Sequence, residues 1–205
     1  MAVDQTEMKR MAAAKAVEFV TDGMKLGLGT GSTAEIFLEL LAARVRGGLN
    51  VIGTATSERT AEKARSLGIP LANLDDLAPL DLTIDGADEA DRKLNLIKGA
   101  GGALLREKIV AASSQRMIVI ADRSKLVPRL GRFPLSIEVL AFGQKMTAQR
   151  VVDALAGIRY RDVAVTLRSR DGLTFVSDSG TMIYDCALGV ITSPPKLAAL
   201  LAAIP

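Results

Sequence analysis

Short apolar runs alternate with longer stretches of helical period through the N-terminal part of the chain. Residues 4–20 place Met8, Met11, Ala12, Val17 and Val20 near helical spacing, and Asp22-Gly23 ends the run, which predicts an amphipathic helix. A strand is expected over residues 24–29, a helix over 34–45 and a strand over 51–56. Residues 57–68 predict a helix with Ser57 as N-cap and Gly68 as its stop. Residues 80–91 read as a strand running into an acidic turn, 102–114 as a helix and 116–122 as a buried strand. This order predicts an α/β fold, an open, mostly parallel Rossmann-like sheet with helices on both faces.

The pattern changes after "LGRFP". A strand is expected over 135–142, a helix over 147–157, a strand over 163–169, one or two strands within 174–188 and a helix over 193–204, with Ser193 as N-cap and prolines at its start. A β-α-β-β-α order predicts a small ferredoxin-like α+β unit. The expected domains are therefore 1–133, carrying the chemistry, and 134–205, a small domain at an oligomer interface.

Composition narrows the function. The 205 residues suit one large domain or two small ones, and 49% apolar with 24% charged residues is ordinary for a water-soluble fold. The net charge of +3 is spread along the chain, with no Trp and little Tyr or Phe, which argues against nucleic-acid binding. The single cysteine, Cys186, excludes an intrachain disulfide and a multi-cysteine zinc site and fits a reducing compartment. Histidine is absent, so Ser-His-Asp and Cys-His nucleophiles and histidine-ligated metals are excluded. Acid–base chemistry falls to carboxylates, lysines, tyrosines or the lone thiol. No apolar run is long enough to span a membrane, and "MAVDQTEMKR" lacks the core of a signal peptide, so a cytoplasmic location is expected.

Four stretches carry candidate chemistry. "GLGTGSTAEI", residues 27–36, joins a predicted strand to a predicted helix, a junction that offers backbone N–H groups and a positive helix end to an anion. Ser32 stands where a dinucleotide loop has its third glycine, only Glu58 follows the next strand, and no Gly-Lys-Ser/Thr occurs. What remains is either a phosphate-monoester site built on Thr30, Ser32 and Thr33 or a capped tight turn. In "DGADEAD", Asp85 ends an apolar strand at the ligand-bearing edge and Asp88 follows across a Gly-Ala turn. The pair suits Mg²⁺, sugar hydroxyls with proton movement, or an acidic surface turn; Glu89 and Asp91 are expected to be solvated. "IKGAGGALLREK" offers Lys98 beside glycines, suited to an oxyanion, and Glu107 in the next helix, a base if its pocket excludes water and a surface residue otherwise. "VIADRSKLV" adds Asp122 at another strand end, with Lys125 as a second phosphate cation or a solvated lysine.

Together "GLGTGSTA", "IDGADEAD", "KGAGGALLREKIVA" and "IADRSKLV", in that order, resemble ribose-5-phosphate isomerase of type A, and "LGRFPLSIEV" is similar to the family's next block. The resemblance implies an intramolecular oxidoreductase of the non-oxidative pentose phosphate pathway. It would interconvert D-ribose 5-phosphate and D-ribulose 5-phosphate through a cis-enediol(ate), with no cofactor and no metal. It implies Glu107 as the base between C1 and C2, Lys98 on the enediolate oxygen, and Asp85 and Asp88 on sugar hydroxyls during ring opening. Thr30, Gly31, Ser32 and Thr33 would meet the phosphate with Lys125 and Lys9, and Gly86, Ala87, Gly99, Ala100 and Gly101 would line the substrate. A pentose phosphate as small-molecule partner and a homodimer or dimer of dimers follow, with neither nucleic acid nor membrane. Three departures stand out: Ala100 within the glycine run, Ser136 where the family block has proline, and an end at "AAIP", which implies a truncated chain or a sheet lacking a strand. A non-catalytic sugar-phosphate sensor lacks a helix-turn-helix segment here, and a nicotinamide enzyme would rest on the glycine loop alone.

Overall fold

The alternation of strand and helix signals is realised, in a computed structural model describing residues 4–205, as eleven strands and seven α-helices. In chain order these begin α1 (Gln5–Val17), β1 (Lys25–Leu28), α2 (Ser32–Arg46), β2 (Ile52–Ala55), α3 (Glu58–Ser66), the single-turn α4 (Leu74–Leu77) and β3 (Leu82–Asp85). There follow β4 (Glu89–Ala90), β5 (Leu96–Ile97), α5 (Leu104–Ala112), β6 (Met117–Val119) and a 3-10 turn over Arg123–Lys125. The remainder is β7 (Leu135–Val139), α6 (Gln144–Gly157), β8 (Val165–Leu167), β9 (Ser169–Arg170), β10 (Leu173–Thr174), β11 (Met182–Cys186) and α7 (Pro194–Ala202). Two compact units result: one runs to Ala87 and resumes over Ala103–Lys125, and the other comprises Asp88–Gly102 and Leu126–Pro205.

The first unit holds a parallel sheet in the order β2-β1-β3-β6. Along β1 the pleat sends Leu26 and Leu28 into a core with Ala13, Ala16 and Val17 of α1 and Phe37, Leu38 and Leu41 of α2. Between them Gly27 lies where a Cβ would come within 2.6 Å of Val110 on α5, so the absent side chain is what admits that helix. Leu77, Leu80 and Val110 form a smaller core there. The buried stripe of α1 is made of small residues, and Met11, expected on that stripe, is 60% exposed. Alanines let α1 lie close to α2, whose Arg44 donates to the carbonyls of Val17 and Val20 at 2.7 and 2.8 Å and so satisfies the end of α1. Strand β6, expected to be buried, is half-buried because it forms one edge of the sheet.

In the second unit β11 lies antiparallel between β7 and β8, and α6 connects those two outer strands. This is the split β-α-β arrangement of ferredoxin-like units, as the element order predicts. Its core gathers Leu130, Val151, Leu155, Cys186, Leu188, Ile191 and Leu197.

A single boundary near Pro134 is not what the contacts produce. Residues 88–102, expected in the first domain, belong to the second unit, where β4 and β5 pair as a hairpin and Ile97 enters its core. Glu89, expected to be solvated, holds the hairpin there. It is fully buried, and its carboxylate accepts from the N–H groups of Gly131 and Phe133 at 2.7 and 2.8 Å. Two charge-assisted bonds compensate a buried carboxylate that would otherwise be costly.

Candidate active site

In the first unit the glycine loop follows β1 and the aspartate Asp85 ends β3, and these strands are neighbours in the sheet. The chain leaves β1 for β2 on one side, while β3 lies on the other, so the two carboxyl ends flank a topological switch point, where open α/β sheets place ligands. Gly29 lets the loop lie against Asp85: a Cβ at residue 29 would be 2.2 Å from Asp85 Oδ1. That oxygen accepts from the N–H groups of Thr30 and Gly86 at 3.1 and 2.7 Å. Asp85 is fully buried, while Gly86 and Ala87 after it are half-buried.

Gly31 has φ +119°, a conformation that disfavours side chains, and it turns the chain into α2 at Ser32, two residues before the predicted start. No side chain caps this helix, so its first N–H groups, from Ser32 onward, point out of the helix end. Lys9 on α1 donates to Ser32 Oγ at 2.9 Å, which puts an ammonium beside that end. Thr33 is buried and Ser32 is exposed. Thr30 has a further set of partners. Its hydroxyl enters a cluster with Thr56, Ser57 and Thr60 at 2.8, 2.8 and 3.1 Å, and Thr60 donates to Gly29 O at 3.1 Å. This cluster, which the sequence did not suggest, braces the loop, and Ser57 also caps α3 by accepting from Thr60 N–H.

Asp122 is buried and accepts from Gln5 Nε2 at 3.3 Å and from Ser124 N–H at 2.9 Å. Burial pushes its carboxyl up, but hydrogen bonds from Ser124 and Gln5 and the Lys9 charge outweigh burial and hold it below the ordinary aspartate value. Lys125, half-buried, ends the 3-10 turn that follows. Glu107 lies in the first turn of α5 and is only 5% exposed, whereas its neighbour Lys108 is exposed. Arg106 is directed to Glu58 at 2.8 Å and holds that carboxyl below its ordinary value. A cleft of about 490 Å³ beside that ion pair contains none of the candidate residues.

In the second unit Lys98 follows β5 and begins the loop 98–102. Gly99 and Gly102 have φ +114° and +83°, so two of the loop's glycines are needed as glycines. Ala100 is exposed, is not among the residues of positive φ, and donates its N–H to Asp88 Oδ2 at 2.9 Å; its methyl group is absorbed without strain. Gly101 is exposed. Asp91 is no free surface acid: it accepts from Lys93 N–H and from Asn95 in the hairpin turn, and the Asn95 bond chiefly keeps its carboxyl below the usual range. Ser136 is buried on β7 and donates to Asp185 at 3.0 Å.

No group of three or more Cys, Asp or Glu side chains among the described residues is arranged to hold a metal ion, and no helix among them is long and apolar enough to cross a membrane.

Residues 52–205 match the family model described as ribose 5-phosphate isomerase A (phosphoriboisomerase A). A ribose-5-phosphate isomerase A of Nitrobacter hamburgensis is 58% identical over 97% of this chain and 85% of its own length. One of Parvibaculum lavamentivorans is 54% identical over 97% and 86%. Among solved structures, the ribose 5-phosphate isomerase of Plasmodium falciparum is 37% identical with a TM-score of 0.90, covering 98% of this chain and 86% of that one. A D-ribose-5-phosphate isomerase in complex with phospho-erythronic acid is 35% identical with a TM-score of 0.90, covering 99% and 88%. A buried glutamate on α5, an uncapped helix end at a sheet switch point and a glycine-rich lysine loop thus occur in a chain that belongs to the ribose 5-phosphate isomerase A family.

Proposed function

We propose that the chain interconverts D-ribose 5-phosphate and D-ribulose 5-phosphate, with Glu107 as the base. The observation that carries this role is the burial of Glu107, 5% exposed on a helix whose adjacent Lys108 faces water. A carboxylate removed from water keeps its basicity for a carbon acid and does not lose its proton to bulk solvent. Asp85 and Asp88 hold sugar hydroxyls and assist ring opening. Glu107 then removes the C2 proton of the open aldose, the electron pair forms the C1–C2 double bond, and O1 becomes an oxyanion facing Lys98. Transfer of the O2 proton to O1 and return of the carried proton to C1 leave the C2 ketone. The N–H groups at the start of α2, with Ser32, Thr33, Lys9 and Lys125, bind the phosphate. Thr30 serves this site by bracing the loop through its hydroxyl cluster. Gly86, Ala87, Gly99, Ala100 and Gly101 line the sugar.

The reaction needs no metal or other cofactor, and the enzyme works in the cytoplasm as a homodimer or dimer of dimers. Exposed Leu140, Phe142 and Met146 support the second unit as the assembling surface. Glu107→Gln should lower kcat at least 10³-fold while KM changes little, since the base acts in the transition state. Phospho-erythronic acid, whose carboxylate mimics the charge of an enediolate, should compete with ribose 5-phosphate. Near-normal kcat in Glu107→Gln removes the base assignment, and activity lost in EDTA and restored by Mg²⁺ moves Asp85 and Asp88 to a metal role.

A further inference from the structure

We infer that Arg168 is a positioning residue for this reaction, fixing the peptide that follows Lys98; the inference rests on the role of Lys98 proposed above. Arg168 lies just after β8, within the second unit, and its side chain is 13% exposed. Its guanidinium is shared among three kinds of acceptor. Nε and Nη2 grip Asp185 at 2.8 and 2.5 Å, and Nη2 also donates to Ser136 Oγ at 2.7 Å. Nη1 turns the other way and donates to the carbonyl of Gly99 at 2.7 Å, with that of Ala100 at 3.4 Å.

A salt bridge to Asp185 alone would use one edge of the guanidinium. The opposite edge is directed to the first carbonyl after Lys98. Only a planar, multi-donor fork spans both ends; a lysine ammonium in the same place serves one. The loop needs such an anchor because Gly99, Gly101 and Gly102 leave its backbone many alternatives. Two further contacts complete the fixation. Asp88 accepts from Ala100 N–H at 2.9 Å, and Phe175 covers Gly102 so closely that a Cβ there would lie 2.4 Å from the ring. The Arg168 guanidinium stands 5.9 Å from the centroid of the same ring. Ser136 brings its hydroxyl to this cluster, donating to Asp185 and accepting from Arg168.

An oxyanion partner displaced by about 1 Å loses on the order of 10² in rate. Arg168→Lys should therefore lower kcat roughly 10- to 100-fold with KM within about threefold of wild type, because the phosphate grip is built elsewhere. Combined with Lys98→Ala, Arg168→Lys should add no further loss, since both changes remove one effect. Unchanged kcat in Arg168→Lys, with Lys98→Ala slow, overturns this inference alone. Losses that multiply in the double variant overturn it as well, by showing an effect not routed through Lys98. Lys98→Ala as fast as wild type overturns both the role of Lys98 and this inference. Should Arg168→Lys lack a cooperative melt, Arg168→Met with Asp185→Leu, which leaves no buried charge unpaired, takes its place with the same expected results.

Discussion

Gly29→Ala tests how the glycine loop and Asp85 depend on each other. An added Cβ would lie 2.2 Å from Asp85 Oδ1 and 2.5 Å from Asp85 Cα. Nonbonded carbons settle at about 3.5 Å or more, so the end of β3 or the loop must retreat by about 1 Å. The displaced atoms include the oxygen held by Thr30 and Gly86 and the backbone bond from Gly29 N–H to Ile84 at 2.9 Å. Overpacking of this kind costs about 1–3 kcal/mol. At about 2–4 °C per kcal/mol for a chain of this size, the melting temperature should fall by roughly 3–10 °C. A shift of about 1 Å in the carboxylate proposed to hold sugar hydroxyls should also lower kcat/KM on the order of 10²-fold. The matched control is Gly157→Ala, at the end of α6, where a Cβ meets nothing within 4 Å. Thermal melts and the coupled assay for ribulose 5-phosphate read both effects. A Gly29→Ala enzyme with the melting temperature and kcat/KM of the Gly157→Ala control would refute the argument that the loop requires a bare backbone there.

Glu89→Ala should cost about 2–5 kcal/mol in urea denaturation, because the buried N–H of Gly131 and the half-buried N–H of Phe133 lose their acceptor; Glu89→Gln, which keeps one oxygen, should cost less. Burial, helped by the Asp185 charge, pushes the Cys186 thiol up to about 12, so the native protein should resist DTNB at pH 8 and react only after unfolding in guanidinium chloride. Asp122 is held below its unfolded value, so its contribution to stability is present above that value and is lost as pH falls through the folded one. The melting-temperature gap between wild type and Asp122→Asn should therefore be full at neutral pH and close as the solution is acidified below about pH 3.9.

Local signals in the chain predicted what local forces decide. Ser57 caps α3 because a serine before a helix accepts from its own first turn, and the β-α-β-β-α order of the second unit follows from periodicity. The glycine loop and Asp85 were legible at the sheet edge because each ends an apolar run. What escaped depends on partners distant in sequence. Nothing in "DGADEAD" marks Glu89 as buried and Asp91 as a turn acceptor, since Glu89 finds its donors at Gly131 and Phe133. Two-residue strands such as β4 and β5 are too short to show alternation, so the hairpin and its allegiance to the second unit were hidden. The hydroxyl of Thr30 also meets Thr56, Ser57 and Thr60, a cluster that no local signal in the chain announces. Arg168 gave no signal, being one arginine among scattered basic residues whose partners lie on β7, β11 and the lysine loop.

The Glu89 hairpin also bears on how the chain is made. Synthesis delivers residues 88–102 before the segment containing Gly131 and Phe133, so the carboxylate emerges long before its donors exist. The parallel sheet likewise waits for β6, which is translated after the hairpin. Neither unit is a contiguous stretch of message. A fragment cut at residue 133 carries a hairpin most of whose core partners are missing, and one beginning at residue 134 lacks both the hairpin and the Glu89 donors. The two units are therefore heritable only together, and a recombination breakpoint at the apparent boundary divides a folding unit rather than joining two.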